Sequence, residues 1–200
     1  MIHTYNQWKN KKLLLLKMTT SNNILENCLE FNNIPYIIYD CSLMNENEIS
    51  EAWDSDKHII SGIIVGGSIT PDAIYPAFPT HILNDVNKVL GICYGCEVLG
   101  EILGSSVVEC NPPVGEIGTV IITIKDDEIF KGLDLSLDWS VTMNHNMMLE
   151  NLPENCNIIA STELTPIAGF HYRKRNWWGL QFHPEKDWLG SIIFKNFYYI

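Results

Sequence analysis

The sequence predicts an α/β fold of three layers, with a mixed, mainly parallel central sheet between helices and a β-rich second half. Three observations carry this. Short apolar runs alternate with longer amphipathic ones through the first half, the pattern of β-α-β units around a parallel sheet. The second half instead holds five strand-like runs separated by turn residues. No repeat, proline-rich linker or low-complexity tract divides the 200 residues, so 1–200 is expected to be a single domain.

Residues 13–16, four consecutive leucines closed by a lysine, predict a first buried strand, and residues 24–31 a helix. Residues 35–39 are a second strand, and 59–65 a third that ends in Gly66-Gly67. Residues 88–93 form a fourth, running into a helix over 94–103 that Gly104 stops. Strands are then expected over 119–124, 140–143, 157–161, 167–172 and 177–182, as hairpins beside or extending the sheet. Residues 188–198 read as an amphipathic helix.

A 46% hydrophobic content fills a sizeable core. The leucine run is too short for a signal-peptide core, and no stretch has the apolar length to cross a bilayer, so a cytoplasmic protein is expected. Acidic residues outnumber basic ones 24 to 13, for a formal charge of −11. Such a surface repels phosphate backbones and anionic lipid, so neither nucleic acid nor membrane is an expected partner. The basic cluster Arg173-Lys174-Arg175 reads as a solvated turn between strands. The negative charge serves solubility, and part of it can complement a basic partner protein.

Six scattered cysteines without a secretory signal read as reduced thiols. Cys93 and Cys96 have C-x-x-C spacing. Zinc would need a second ligand pair at close spacing, which is missing, and a redox pair remains as an alternative. Oxidised Cys93 could be resolved by Cys96, unless Cys96 points into the core.

The most informative segment is Gly91-Ile92-Cys93-Tyr94-Gly95, between a buried strand and a helix. Glycines on both sides of a central nucleophile permit a sharp, strained strand-to-helix turn that exposes its side chain. The positive end of the following helix is expected to favour thiolate. Alone, the motif fits a buried cysteine at a strand end equally well. A base is supplied by Gln181-Phe182-His183-Pro184-Glu185. Proline disfavours helix at His183, and in an extended segment residues i and i+2 face the same way, which sets Glu185 beside the imidazole. A carboxylate there fixes the tautomer and stabilises imidazolium. His3, His58, His81 and His171 lack such a neighbour and are expected to be core or surface residues.

These two motifs, in this order and this far apart, resemble the signatures of class I glutamine amidotransferases of the triad type. The resemblance implies a flavodoxin-like fold in which Cys93 is the nucleophile, His183 the general base and acid, and Glu185 the orienting carboxylate. It implies L-glutamine as substrate, and ammonia as a product handed to an ATP-dependent synthetase. Ile63-Ile64-Val65-Gly66-Gly67-Ser68 is similar to the family's strand-and-glycine turn, which makes the backbone N–H groups of Gly67 and Tyr94 the oxyanion donors; the plainer reading is a strand-terminating turn. Over residues 59–197 the chain most resembles the glutaminases of GMP synthase, through runs such as Asp127-Glu128-Ile129-Phe130-Lys131-Gly132-Leu133 and Ile193-Phe194-Lys195-Asn196-Phe197.

By the same resemblance Glu97, Asn144, Asn146 and Met147 fall where substrate is held, and here the chain departs from the family. Glu97 stands where glutamine is usual, and Met147 where GMP synthases carry aspartate, while Asn144-His145 is similar to the glutaminase of carbamoyl-phosphate synthetase. No phosphate-binding loop or metal-ligand cluster is evident, so neither a cofactor nor a metal is expected. Two other functions stay open. One is a free-standing γ-glutamyl amide hydrolase, which Glu97 makes easier to accept. The other is a regulatory or binding homologue without turnover, against which the intact Cys93, His183 and Glu185 argue.

Overall fold

The computed structural model describes residues 10–18, 23–66 and 79–200. A strand with no polar side chain needs cover on both faces, and Leu13 to Leu16 have it. In β1 (Lys12–Lys17) all four are 1% exposed or less. Leu13 and Leu15 enter one hydrophobic core and Leu14 and Leu16 another, as the two-residue period of a strand requires. β1 pairs in parallel with β2 (Tyr36–Asp40) on one side and β3 (Ile60–Gly66) on the other. Next to β3 lies β4 (Val89–Ile92), also parallel.

The first core is covered by α1 (Ile24–Phe31) through Leu25 and Leu29, and by the C-terminal helix Leu189–Tyr199 through Ile193, Phe194 and Phe197. The second is covered by α2 (Glu46–Asp56), the short α3 (Thr80–Leu83) and α4 (Tyr94–Leu103). Helix, sheet and helix make the three layers.

The second half contributes β5 (Val107–Glu109), β6 (Glu116–Ile124), β7 (Trp139–His145), β8 (Met147–Leu149), β9 (Cys156–Ser161), β10 (Gly169–Tyr172) and β11 (Trp177–Leu180), before the final helix, α5. β11 runs parallel beside β4, and β10, β9, β6 and β7 extend the sheet by antiparallel pairing. The nine-stranded order is β2-β1-β3-β4-β11-β10-β9-β6-β7, and β5 with β8 forms a separate ribbon. Arg173-Lys174-Arg175 is the exposed turn between β10 and β11, as expected.

Four elements were not expected from the sequence: the helices α2 and α3, and the strands β5 and β8 of the separate ribbon. Of α2 only Ile49 and Trp53 are buried, so its apolar stripe is one pair of residues a turn apart. Its start was nonetheless encoded. Asn45 and Glu48 form a capping box, each side chain satisfying the other's backbone N–H.

The far end of α5 is tied down by a buried lysine. Lys88 Nζ donates to the carbonyls of Phe197 and Tyr198 at 2.7 and 2.8 Å, groups that a helix leaves without partners of its own. Burial holds its ammonium down at about 8. Cys96 is fully buried in the second core, and burial pushes its thiol well above the ordinary range.

Candidate active site

β4 and β11 lie side by side, with Ile92 in register with Leu180, and the chemistry-bearing residues follow their C-terminal ends. Cys93 has φ 52° and ψ −108°. For a residue with a side chain such a positive φ costs on the order of 1–3 kcal/mol, so the surroundings must impose it. Its N–H donates to Leu180 O at 2.8 Å, while its carbonyl accepts from Cys96 N at 2.9 Å as α4 begins. The flanking glycines are required by contact. A Cβ on Gly91 would run into the backbone of Gly95, and one on Gly95 into the Val65 carbonyl of β3.

The thiol of Cys93 lies 3.8 Å from Asn144 O, to which it donates. Burial, and after it the charge of Glu97, pushes this thiol up to about 12. The Tyr94 N–H opposes the rise by bonding the sulfur, Glu185 adds to it and Lys186 subtracts. The expectation that the helix end would favour thiolate is thus corrected: a dry site with two carboxylates outweighs one favourable N–H.

His183 is 2% exposed, and its N–H donates to Thr142 O at 2.9 Å. Nδ1 lies 2.7 Å from Glu185 Oε1, so with Glu185 ionised Nδ1 carries the proton and Nε2 presents its lone pair. Nε2 is buried and has no hydrogen-bond partner among the described residues. The pair forms by a different route from the one expected. Instead of staying extended, Pro184–Lys186 makes a single 3-10 turn closed by Lys186 N to His183 O at 3.1 Å. Proline suits the first position of such a turn, since its φ is preset and it has no N–H to satisfy.

Thr142 and Asn144 are two residues apart on β7, about 7 Å along a strand. One receives the backbone N–H of His183 and the other the thiol of Cys93, so both residues are held against β7, while the thiol bonds the Asn144 carbonyl and makes no hydrogen bond to Nε2. Tyr94 is the first residue of α4, its N–H at the sulfur. Gly67 lies outside the described residues, one beyond the end of β3.

Glu97 sits in the first turn of α4, where its Oε1 accepts from Gln181 Nε2 at 2.9 Å. Burial raises its carboxyl to about 7, against the pull of the Gln181 hydrogen bond, with Glu101 adding to the rise. Asn144 reaches Cys93 through its backbone carbonyl, while its side chain is exposed. Asn146 is exposed too, and its carbonyl accepts from Cys110 N at 2.8 Å. Met147 is half-buried, and its carbonyl lies 2.8 Å from His145 Nδ1.

Two buried polar groups escaped the sequence reading. Glu116 accepts from the hydroxyl of Thr162 at 2.8 Å to each oxygen and from the hydroxyl of Thr165, and its Oε2 lies 3.6 Å from His145 Nε2. Burial lowers the pKa of His145, against the Met147 carbonyl and Glu116, which favour its charged form. His171 is a core residue, as expected, but it does have a carboxylate beside it. Its Nδ1 lies 2.8 Å from Asp127 Oδ2, and Trp178 Nε1 donates to Oδ1 at 2.8 Å. Burial works to raise Asp127, but the hydrogen bonds from His171 and Trp178 hold its carboxyl below the usual range. No local pattern announces either group, because the partners come from segments far apart in the sequence. Among the described residues no three His, Cys, Asp or Glu side chains converge as metal ligands.

The chain belongs to a known family: residues 17–198 match Glutamine amidotransferase class-I. GMP synthase [glutamine-hydrolyzing] of Staphylococcus aureus is 36% identical over 162 residues, which are 78% of this chain and 30% of that enzyme. The enzyme of the same description from Thermosipho melanesiensis is 31% identical over 156 residues, 72% of this chain and 29% of its own length. The chain thus spans about three tenths of these relatives. Among solved structures, a protein assigned as a GMP synthase subunit from Thermoplasma acidophilum superposes with a TM-score of 0.71 at 24% identity, covering 94% of this chain and 92% of that one. PurLQS from Thermotoga maritima gives 0.70 at 15% identity, covering 94% and 97%. At these identities the structural likeness shows the fold, which is that of the glutamine amidotransferases.

Proposed function

We propose that this chain hydrolyses L-glutamine to glutamate and ammonia through Cys93, His183 and Glu185, acting over residues 1–200 as one amidotransferase domain. The observation that carries the reading is that β7 seats the Cys93 thiol and the His183 backbone two residues apart, with Glu185 on the imidazole. Since the thiol rests neutral, the base must act as the bond forms. Nε2 of His183 takes the Sγ proton while sulfur attacks the side-chain amide carbon, and Glu185 stabilises the imidazolium. The amide oxygen becomes an oxyanion that the N–H of Tyr94 stabilises, with Gly67, by its resemblance to the family's strand-and-glycine turn, as the second donor. His183 returns its proton to nitrogen, the C–N bond breaks, and ammonia departs, leaving a thioester. Water, deprotonated by His183, then attacks the thioester, and glutamate leaves as the thiol regains its proton.

The ammonia goes to an ATP-dependent synthetase. The GMP synthase relatives support a partner that adenylates xanthosine monophosphate and receives the ammonia there. The second reading, a free-standing γ-glutamyl amide hydrolase, is favoured by Glu97, a carboxyl where the family has an amide. Ammonia release is to be measured for the chain alone and with such a synthetase. Wild type is expected to release ammonia and Cys93→Ala none, and a glutamine-like chloroketone is expected to label wild type only, at Cys93. Ammonia release by Cys93→Ala, or equal labelling of another cysteine, overturns the assignment. Turnover faster on other γ-glutamyl amides than on glutamine selects the second reading.

A further inference from the structure

The edge of a sheet carries backbone groups that no neighbouring strand claims. β7 is such an edge, and its pairing with β6 sets Thr142 opposite Thr119 and Asn144 opposite Ile117. Alternate residues of an antiparallel strand turn N–H and C=O away from the partner, so Thr142 and Asn144 share the outer side. Every hydrogen bond described there leads to the active site. Thr142 O accepts from His183 N at 2.9 Å, Asn144 O accepts from the Cys93 thiol at 3.8 Å, and Thr142 N donates to Asp187 Oδ2 at 2.7 Å. The Thr142 hydroxyl adds a bond to Asp187 Oδ1 at 2.9 Å.

The two oxygens of Asp187 are placed unusually. A carboxylate just before a helix ordinarily accepts from the N–H groups of its first turn. α5 begins without any side-chain cap, and Asp187 instead gives both oxygens to a strand from another part of the chain. That strand needs a pin. β6 and β7 pair along seven residues, yet β6 joins β9 only at Thr123 and Ile124. The ribbon is therefore anchored near one end, and Asn144 lies near the other. There Glu116 ties the β6 side to Thr162 and Thr165, and halfway along the ribbon Asp187 ties β7, through Thr142, to the turn that bears His183.

We propose that Asp187 is a positioning residue: by pinning the free edge of β7 to the His183 turn, it keeps the Cys93 thiol and the imidazole in one register for proton transfer. This rests on the glutamine hydrolysis proposed above. Asp187 touches neither reacting atom, so its removal acts on the chemical step and not on substrate affinity. A displacement of about 1 Å between nucleophile and base lowers turnover on the order of 100-fold.

The test uses the full chain with Asp187→Ala, Asp187→Asn, Thr142→Val and Thr142→Ser. Kinetics on glutamine, urea stability and the pH profile of Cys93 alkylation by iodoacetamide are to be measured on each. Asp187→Ala is expected to lower kcat by about 10- to 100-fold with KM changed less than about 3-fold. Its alkylation profile should move toward that of His183→Ala. Thr142→Ser, which keeps both bonds, should recover what Thr142→Val loses. A folded Asp187→Ala with wild-type kcat and alkylation profile overturns the proposal, as does a loss that merely follows the unfolded fraction. Should the alanine variant not fold, Asp187→Asn carries the same readings. A wild type that releases no ammonia overturns the glutaminase reading alone, and the alkylation profiles then decide on Asp187 by themselves.

Discussion

Glu97 carries a partly buried carboxyl one helical turn past Cys93, and its surroundings give its titration a measurable sign. Its carboxyl, ordinarily near 4.5, is raised to about 7 by burial. Between those values the folded protein holds a proton that the unfolded chain has released. Stability therefore falls as pH rises through that window and stays low above it. Glu97→Gln has no such proton, so it is predicted to remove this slope and to be more stable than wild type at pH 8 by about 1–3 kcal/mol. Urea denaturation at pH 5 and pH 8 measures it, and an unchanged slope places the titration elsewhere. The same carboxylate raises the Cys93 thiol. If it also opposes the substrate, Glu97→Gln lowers KM for glutamine with the other site residues untouched. An unchanged or higher KM shows instead that the carboxyl suits this protein's own substrate.

At the scale of elements, the last turn of α5 is held by a side chain that precedes β4. Lys88, just before β4, meets the carbonyls of Phe197 and Tyr198 from inside the protein. Lys88→Met keeps most of the apolar stem and removes both donors. It is predicted to cost about 2–4 kcal/mol, because two carbonyls lose their partner where water does not reach. Amide exchange should quicken in the last turn of α5 and remain slow in β4. Equal quickening in both would point to general loosening of the core. The parallel strands were legible because burial on both faces wrote apolar runs into the sequence. The elbow was legible too, since Gly91 and Gly95 meet backbone that leaves no room for a Cβ. His183 and Glu185 are two residues apart and could be paired on local grounds, although a 3-10 turn and not an extended segment joins them. α2 was missed because Ile49 and Trp53 alone face the core, even though its capping box stood in the sequence. The bonds from Asp187 to Thr142, Glu116 to Thr162 and Asp127 to His171 leave no local trace, since each is fixed by how distant segments meet.

The whole molecule carries a formal charge of −11, from 24 acidic and 13 basic side chains. Like charges spread over one folded body repel, and folding brings them closer than the open chain does. Attraction within the described residues does little to offset this. The ion pairs between lysine or arginine and a carboxylate are Lys17 with Glu26, Lys57 with Asp54, and Arg173 with Asp127. The second of these is solvent-exposed, and exposed pairs contribute about 0–1 kcal/mol. Salt therefore has more repulsion than attraction to screen. At about 0.15 M the screening length is roughly 8 Å, and at 1 M roughly 3 Å, shorter than most spacings between surface charges. The melting temperature is predicted to rise by a few degrees, on the order of 1 kcal/mol, between about 0.02 and 0.5 M potassium chloride. Chloride is preferred to sulfate, which would strengthen apolar burial and raise the melting temperature for another reason. A scan at pH 5, where part of the negative charge is neutralised, should show a smaller rise. A melting temperature that falls with salt at pH 8 would mean that ion pairs outweigh the excess of like charge, and the repulsion argument would be wrong.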